Sequence, residues 1–96
     1  MMAAFGITHH FKGGTQEQYE NSIATVHPAG GLPPGQTTHV GAKTADGWLV
    51  IALWESEESW VKFRDETLLP GLASAEGGFQ VPPDETTFEI VNFETA

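Results

Sequence analysis

The segment TADGWLVIALW, residues 44–54, constrains the fold more than any other part of the sequence. Asp46-Gly47 is typical of a two-residue β-hairpin turn, because Asp and Gly tolerate the positive φ angles of a type I′ turn. We therefore expect one strand over residues 36–44 and a second over residues 48–54. The second strand is apolar at every position, which indicates that both of its faces are buried.

The hairpin also places a titratable side chain beside a tryptophan. With Asp46-Gly47 at the centre of the turn, His39 pairs with Trp54, and with a turn one residue earlier it pairs with Ala52. Both registers put His39 on the face of Trp54, whereas a three-residue loop with a bulge would reverse it. A neutral imidazole on an apolar face can serve as a general base. It can equally be a hydrogen-bonded core side chain, and both interpretations stay open.

A first strand is predicted over residues 3–12, where side chains alternate between two faces. His9 shares one face with Phe5 and Ile7, and His10 lies on the other, so the two histidines cannot chelate one ion from one face. Pocket-facing and core-facing roles for His9 remain equally open. No HxH or HxxxH spacing occurs, and we expect no metal site.

The first helix has an N-terminal sequence signature. Thr15 and Gln18 have the spacing of a capping box, and apolar residues follow at helical intervals. The helix should end near His27-Pro28, with His27 facing solvent at its C-terminus. A loop rich in Pro and Gly, PAGGLPPGQ, then leads into the hairpin.

The second half of the chain predicts another helix and a last strand. Ser56 can cap the helix, and Pro70-Gly71 should interrupt or kink it. Residues 86–94, TTFEIVNFE, form the final strand with apolar groups on both faces.

The predicted element order β-α-β-β-α-β indicates an α+β, ferredoxin-like fold with a four-stranded antiparallel sheet, in one domain spanning residues 1–96. Two helices of this length can cover only one face of such a sheet. Since the third strand is apolar on both faces, we expect a second copy of the chain to cover the other face, which makes the protein a homodimer.

Composition limits the classes of partner. Thirteen acidic residues against four basic ones give a formal charge of -9, which disfavours nucleic acids and anionic membranes as partners. The absence of cysteine rules out disulfides, thiolate metal sites and cysteine nucleophiles. Neither a signal peptide nor an apolar run long enough to span a bilayer is visible, so a cytoplasmic location is expected.

Three segments, LPPGQTTHVGA, GWLVIALWES and FRDETLLPGL, resemble the antibiotic biosynthesis monooxygenase domains of the dimeric α/β-barrel superfamily. The resemblance covers nearly the whole chain and implies that two four-stranded sheets pack as a dimeric barrel. Members include cofactor-free oxygenases of aromatic polyketides, haem-degrading enzymes and isomerases. The haem-degrading members carry an Asn on the first strand and a Trp and an iron-ligating His on the second helix. Here Ile7 and Phe63 stand near the first two positions and no His follows, so haem degradation is not expected.

The resemblance and the residues together suggest a cofactor-free, monooxygenase-like enzyme acting on a hydrophobic aromatic or polyketide-like compound between the helices and the sheet. His39 is the candidate base and His9 the alternate. Four side chains are candidates for the wall of the substrate pocket: Trp54, Phe5, Phe63 and Trp60. Two alternatives remain, a non-catalytic binding or accessory homodimer and an isomerase or cyclase that uses the same pocket.

Overall fold

A four-stranded antiparallel sheet in the order β2-β3-β1-β4 organises the computed structural model, which describes residues 4–27, 31–74 and 76–96. The elements in chain order are β1 (Phe5–Lys12), α1 (Gln16–Val26), β2 (Gln36–Thr44), β3 (Gly47–Trp54), α2 (Glu57–Phe63), a π-helical segment (Arg64–Leu68), α3 (Leu69–Ser74) and β4 (Asp84–Glu89). This is the predicted α+β, ferredoxin-like arrangement, and the fold prediction is confirmed.

The hairpin adopts the second of the two predicted registers. Thr44 pairs with Gly47, so that Ala45-Asp46 is at the centre of the turn, and His39 lies opposite Ala52 instead of Trp54. Neither central residue has a positive φ, so the turn does not use the conformation for which Asp-Gly is favoured. Gly47 is needed for another reason, because a Cβ there would collide with the backbone of β1.

Both predicted helix N-termini have their side-chain caps. Thr15 Oγ1 accepts from the Gln18 backbone N–H at 3.1 Å, and the Gln18 side chain accepts from the Thr15 N–H at 3.2 Å, which completes the capping box. Ser56 Oγ accepts from the Ser59 N–H at 3.1 Å at the start of α2.

The predicted interruption at Pro70 takes the form of a π-helical turn. The Leu69 N–H donates to the carbonyl of Arg64, five residues back. Because Pro70 has no N–H for the carbonyl four residues before it, a regular α-helix cannot continue there. The wider turn immediately before Pro70 absorbs this mismatch, and α3 resumes.

The last strand is shorter than predicted and begins earlier. It runs over Asp84–Glu89 and not over residues 86–94, and its last residue, Glu89, pairs with Phe5 at the start of β1. The Ile90 N–H still donates to the Ala4 carbonyl at 3.0 Å. Beyond it Val91 is 92% exposed, and the strand ends before the last apolar residues of the segment.

The helices cover one face of the sheet, which we call the helix-side face. Its central residues are buried, with Ile7 and Trp54 fully so. The opposite, open face carries Val40, Ile51 and Phe88 at alternate positions of the same strands. Among residues 4–27, 31–74 and 76–96, none of the helices has the length and apolar composition of a membrane-spanning segment.

Candidate functional site

A cavity of about 90 Å³ lies between the helix-side face and the helices. Its floor includes Ile7, Val50 and Ala52 of the sheet, and its roof includes Val26 of α1 and Phe63 of α2. An engineered cavity of ~150 Å³ is known to admit benzene. A ligand with an aromatic ring therefore needs the lining side chains to move.

His39 borders this cavity from β2 and is hydrogen-bonded through both ring nitrogens. Its Nε2 lies 2.7 Å from Tyr19 Oη, and its Nδ1 lies 3.0 Å from Gln36 Oε1. Since a carboxamide oxygen only accepts, Nδ1 carries the hydrogen and Nε2 accepts the Tyr19 O–H. The network thus assigns the tautomer of a neutral imidazole.

The side chains at this end of the cavity are uncharged at neutral pH. Burial and the neighbouring His27 lower the pKa of His39 to about 4. Burial also lowers the pKa of His27 and raises that of the Tyr19 phenol. His39 can accept a proton in its neutral state, but it is a weak base.

His27 does not face solvent as predicted. It is half-buried as the C-cap of α1, and its ring meets that of His39 edge-on with centroids 4.8 Å apart. Its ring also lies 6.4 Å from that of Phe63. The end of α1 points toward β2, so a residue that a helical pattern assigns to the terminus becomes part of the cavity wall.

His9 borders the opposite side of the cavity floor and is paired with a carboxylate. Its Nε2 lies 3.0 Å from Glu85 Oε2, because the two residues are cross-strand partners in β1 and β4. The His9 side chain is only 12% exposed, and its ring lies 5.5 Å from that of Trp60. Its Nδ1 forms no hydrogen bond within the described residues. With β3 between them and an offset of two residues along the strands, the Cα atoms of His9 and His39 are roughly 12 Å apart.

Three of the four predicted wall residues line the cavity, namely Trp54, Trp60 and Phe63, which form one aromatic cluster. Phe5 packs against this cluster from outside and is not among the cavity-lining residues. The indole N–H of Trp54 is buried and has no hydrogen-bond partner among the described residues.

Tyr19 and Gln36 complete the site and were not predicted. Tyr19 contributes to the apolar spacing of α1, so the pattern indicates only a core residue. Gln36 reaches His39 because a bulge between Gln36 and Thr38 places residues three apart on one face, and no sequence rule locates that bulge. Gly41 makes room for Tyr19, since a Cβ there would lie 2.8 Å from the hydroxyl oxygen.

The described residues contain no cluster of three or more His, Cys, Asp or Glu side chains able to hold a metal ion. Two hydrogen-bonded groups of polar side chains meet the cavity instead: the chain Gln36–His39–Tyr19, and His9, which is paired with Glu85.

Comparison with solved structures identifies the architecture. The chain is similar to an assigned antibiotic biosynthesis monooxygenase from Chloroflexus aurantiacus, with a TM-score of 0.68, 18% identity, and coverage of 97% of this chain and 98% of that one. The chain has the fold of the antibiotic biosynthesis monooxygenases. No protein-family model and no curated protein match the sequence.

Two further structures with this fold span essentially the whole chain. The ActVA-Orf6 monooxygenase of Streptomyces coelicolor, solved with nanaomycin D, has a TM-score of 0.62 at 20% identity, with 98% of this chain and 93% of that chain covered. An assigned antibiotic biosynthesis monooxygenase from Bacillus cereus has a TM-score of 0.52 at 20% identity, with coverage of 99% and 98%. The resemblance predicted from the sequence is confirmed at the level of the fold.

Proposed function

We propose that the chain is a cofactor-independent, monooxygenase-like enzyme that oxidises a hydrophobic aromatic compound bound between the helices and the sheet. The observation that carries the proposal is an apolar cavity with a histidine on each side of its floor, His9 and His39. Apolar walls exclude water and strengthen the electrostatic effect of the few polar groups that face the ligand.

We assign the role of base to His9. A base must have a free nitrogen within reach of the proton and a partner that orients it. His9 borders the cavity, Glu85 holds its Nε2, and its Nδ1 has no partner among the described residues, which supports this role. His39 has both nitrogens engaged and a pKa of about 4, which makes it the weaker candidate.

The reaction starts when the base removes a proton from a carbon or hydroxyl acidified by the aromatic system. The substrate carbanion then reduces dioxygen. For a methylene group, one oxygen atom becomes the product carbonyl and the other leaves as water with the two hydrogens of the methylene. The methylene compound itself supplies the four electrons. A hydroquinone supplies two and becomes the quinone, and dioxygen takes up these electrons with two protons as hydrogen peroxide. The chain therefore needs to provide only a base, orientation and a dry cavity.

Turnover of anthrone and hydroquinone, chosen as three-ring and one-ring probes, tests this function. With EDTA present, we expect oxygen uptake above the buffer rate and, for anthrone, one ¹⁸O atom from ¹⁸O₂ in the product. His9→Ala should lower kcat/KM by about 10²-fold or more, as expected for loss of a general base. His10→Ala is the matched control, because the adjacent histidine lies on the open face and should leave the rate unchanged.

A second candidate is binding without catalysis, and the closed network around His39 favours it. A histidine with both nitrogens satisfied by the protein serves packing as well as it serves chemistry. If neither probe is oxidised faster than in buffer while both bind in the cavity, the enzyme proposal fails and the binding function stands.

We further propose that the chain acts as a homodimer through the open face. Val40 and Phe88 are 42% and 39% exposed there, and Ile51 lies between them in the sheet. Exposed apolar groups on both edge strands of the sheet favour a partner surface, and in a two-fold symmetric dimer each copy covers the open face of the other. The helices leave this face free to associate without disturbing the cavity.

A further inference from the structure

We propose that Tyr19 binds the ligand as a hydrogen-bond acceptor, so that the cavity selects compounds that carry a hydroxyl group at that point. The inference concerns ligand selection in the same cavity as the proposed function, and it requires no turnover.

The direction of the hydrogen bonds leads to this role. Gln36 Oε1 accepts from His39 Nδ1–H, which leaves Nε2 as an acceptor without a hydrogen. The Tyr19 hydroxyl has a single hydrogen, and at 2.7 Å it is committed to that Nε2. What Tyr19 Oη still offers a ligand is therefore an oxygen lone pair and not a hydrogen.

The position of Tyr19 is fixed by its surroundings. Its ring packs on Trp48 with centroids 5.0 Å apart and lies almost parallel to the His39 ring at 5.9 Å. The missing side chain at Gly41 leaves space for its hydroxyl. Tyr19 and its hydrogen-bond partner His39 both line the cavity, and the proposal places a ligand hydroxyl against the Tyr19 oxygen there.

Neutral His39 keeps the Tyr19 hydroxyl oxygen available to a ligand as a hydrogen-bond acceptor. A protonated imidazole would carry a hydrogen on Nε2 and would force the Tyr19 hydroxyl to turn its own hydrogen elsewhere. Burial and His27 keep His39 neutral down to a pKa of about 4. The acceptor character of Tyr19 is thus constant through the neutral range, and His39 acts as a positioning residue behind it.

Binding of phenol and anisole measures the effect, because the two differ in the hydrogen that phenol can donate. Calorimetry or NMR titration gives the ratio of their dissociation constants for each protein. In Tyr19→Phe the preference for phenol should fall about fivefold relative to wild type, the value of one ordinary hydrogen bond. In His39→Phe the Tyr19 hydroxyl no longer donates to an imidazole and can donate to the ligand. The preference for phenol over anisole should then fall by at least about fivefold.

His10→Phe is the matched control for His39→Phe and should leave the ratio as in wild type, because His10 lies on the open face. An unchanged ratio in a Tyr19→Phe protein with the far-ultraviolet circular dichroism of the wild type overturns the inference. The ¹⁵N shifts of His39 in wild-type protein provide a second test that needs no variant. A hydrogen on Nε2 in place of Nδ1 would also overturn it.

These outcomes are separate from those of the enzymatic test. Failure to oxidise anthrone or hydroquinone leaves the phenol preference intact as a property of the cavity. Loss of the phenol preference with normal oxygen uptake would retain the enzyme and remove Tyr19 as its acceptor.

Discussion

The two faces of the sheet are built from alternate residues of the same strands, yet they have opposite environments. On the helix-side face Ile7 and Trp54 have no exposed surface, whereas Val40 and Phe88 on the open face expose about two-fifths of theirs. The helices, together with Phe79 from the segment before β4, create this difference, because the strands carry apolar residues on both sides. Burial thus follows from which face the helices cover.

Two neighbouring histidines show the same contrast for polar groups. His9 is nearly buried against Trp60 and the Glu85 carboxylate, which favours a chemical role. His10 lies one residue away on the open face, where its Nε2 is 3.1 Å from the exposed Asp46 carboxylate. A one-residue change in register would exchange the two.

Ile7→Ala should have the largest effect on stability. Removing a fully buried side chain leaves a cavity, and we expect the free energy of unfolding to fall by about 2–5 kcal/mol in urea titrations. Val40→Ala on the open face should cost less than about 1 kcal/mol at protein concentrations where the chain is monomeric. Equal losses at such concentrations would contradict the difference between the two faces.

Val40→Lys should weaken dimer formation, which would distinguish the open face from the helix-side face. A lysine within an apolar interface loses hydration without gaining a partner, so the dimer should dissociate about a hundredfold more readily in analytical ultracentrifugation. Ala24→Lys, on the exposed surface of α1, is the control and should leave the mass unchanged. A wild-type chain that remains monomeric at high concentration would remove the dimer proposal.

Gly41→Ala, in β2, should displace Tyr19 on the helix-side face. The added methyl would lie 2.7 Å from Tyr19 Cζ, so the tyrosine must move and its bond to His39 should lengthen or break. We expect a loss of about 1–3 kcal/mol in unfolding free energy. The ¹H–¹⁵N spectrum of His39 should change with it. An undisturbed His39 signal would show that Tyr19 is not held as described.

The smallest effect should come from pH. The folded pKa of His39, about 4, lies below its ordinary value near 6.5, so its stabilising contribution is complete above pH 6.5 and is lost as pH falls through 4. Because the ring is only partly buried, we expect a loss on the order of 1 kcal/mol. His27, whose pKa is also lowered, adds to the same trend. His39→Gln should flatten this slope, and an unchanged slope would assign the effect to other groups.

The sequence predicted the local elements of the fold because their signals are local. The capping box at Thr15 and Gln18, the Ser56 cap and the alternation of β1 are short-range patterns, and each occurs in the structure. The same patterns predicted that His39 and Trp54 share a face. Their pairing in the first of the two registers was wrong, since Thr44 pairs with Gly47 and the turn is centred on Ala45-Asp46.

The site itself required contacts between residues distant in sequence. Glu85 meets His9 across 76 positions, and Tyr19 meets His39 across 20. The alternation of residues alone determined which side chains could share a face. Which face the helices cover, where the bulge at Gln36 falls and how α1 carries His27 to His39 were decided only by the tertiary structure, because packing sets them through many distant contacts at once.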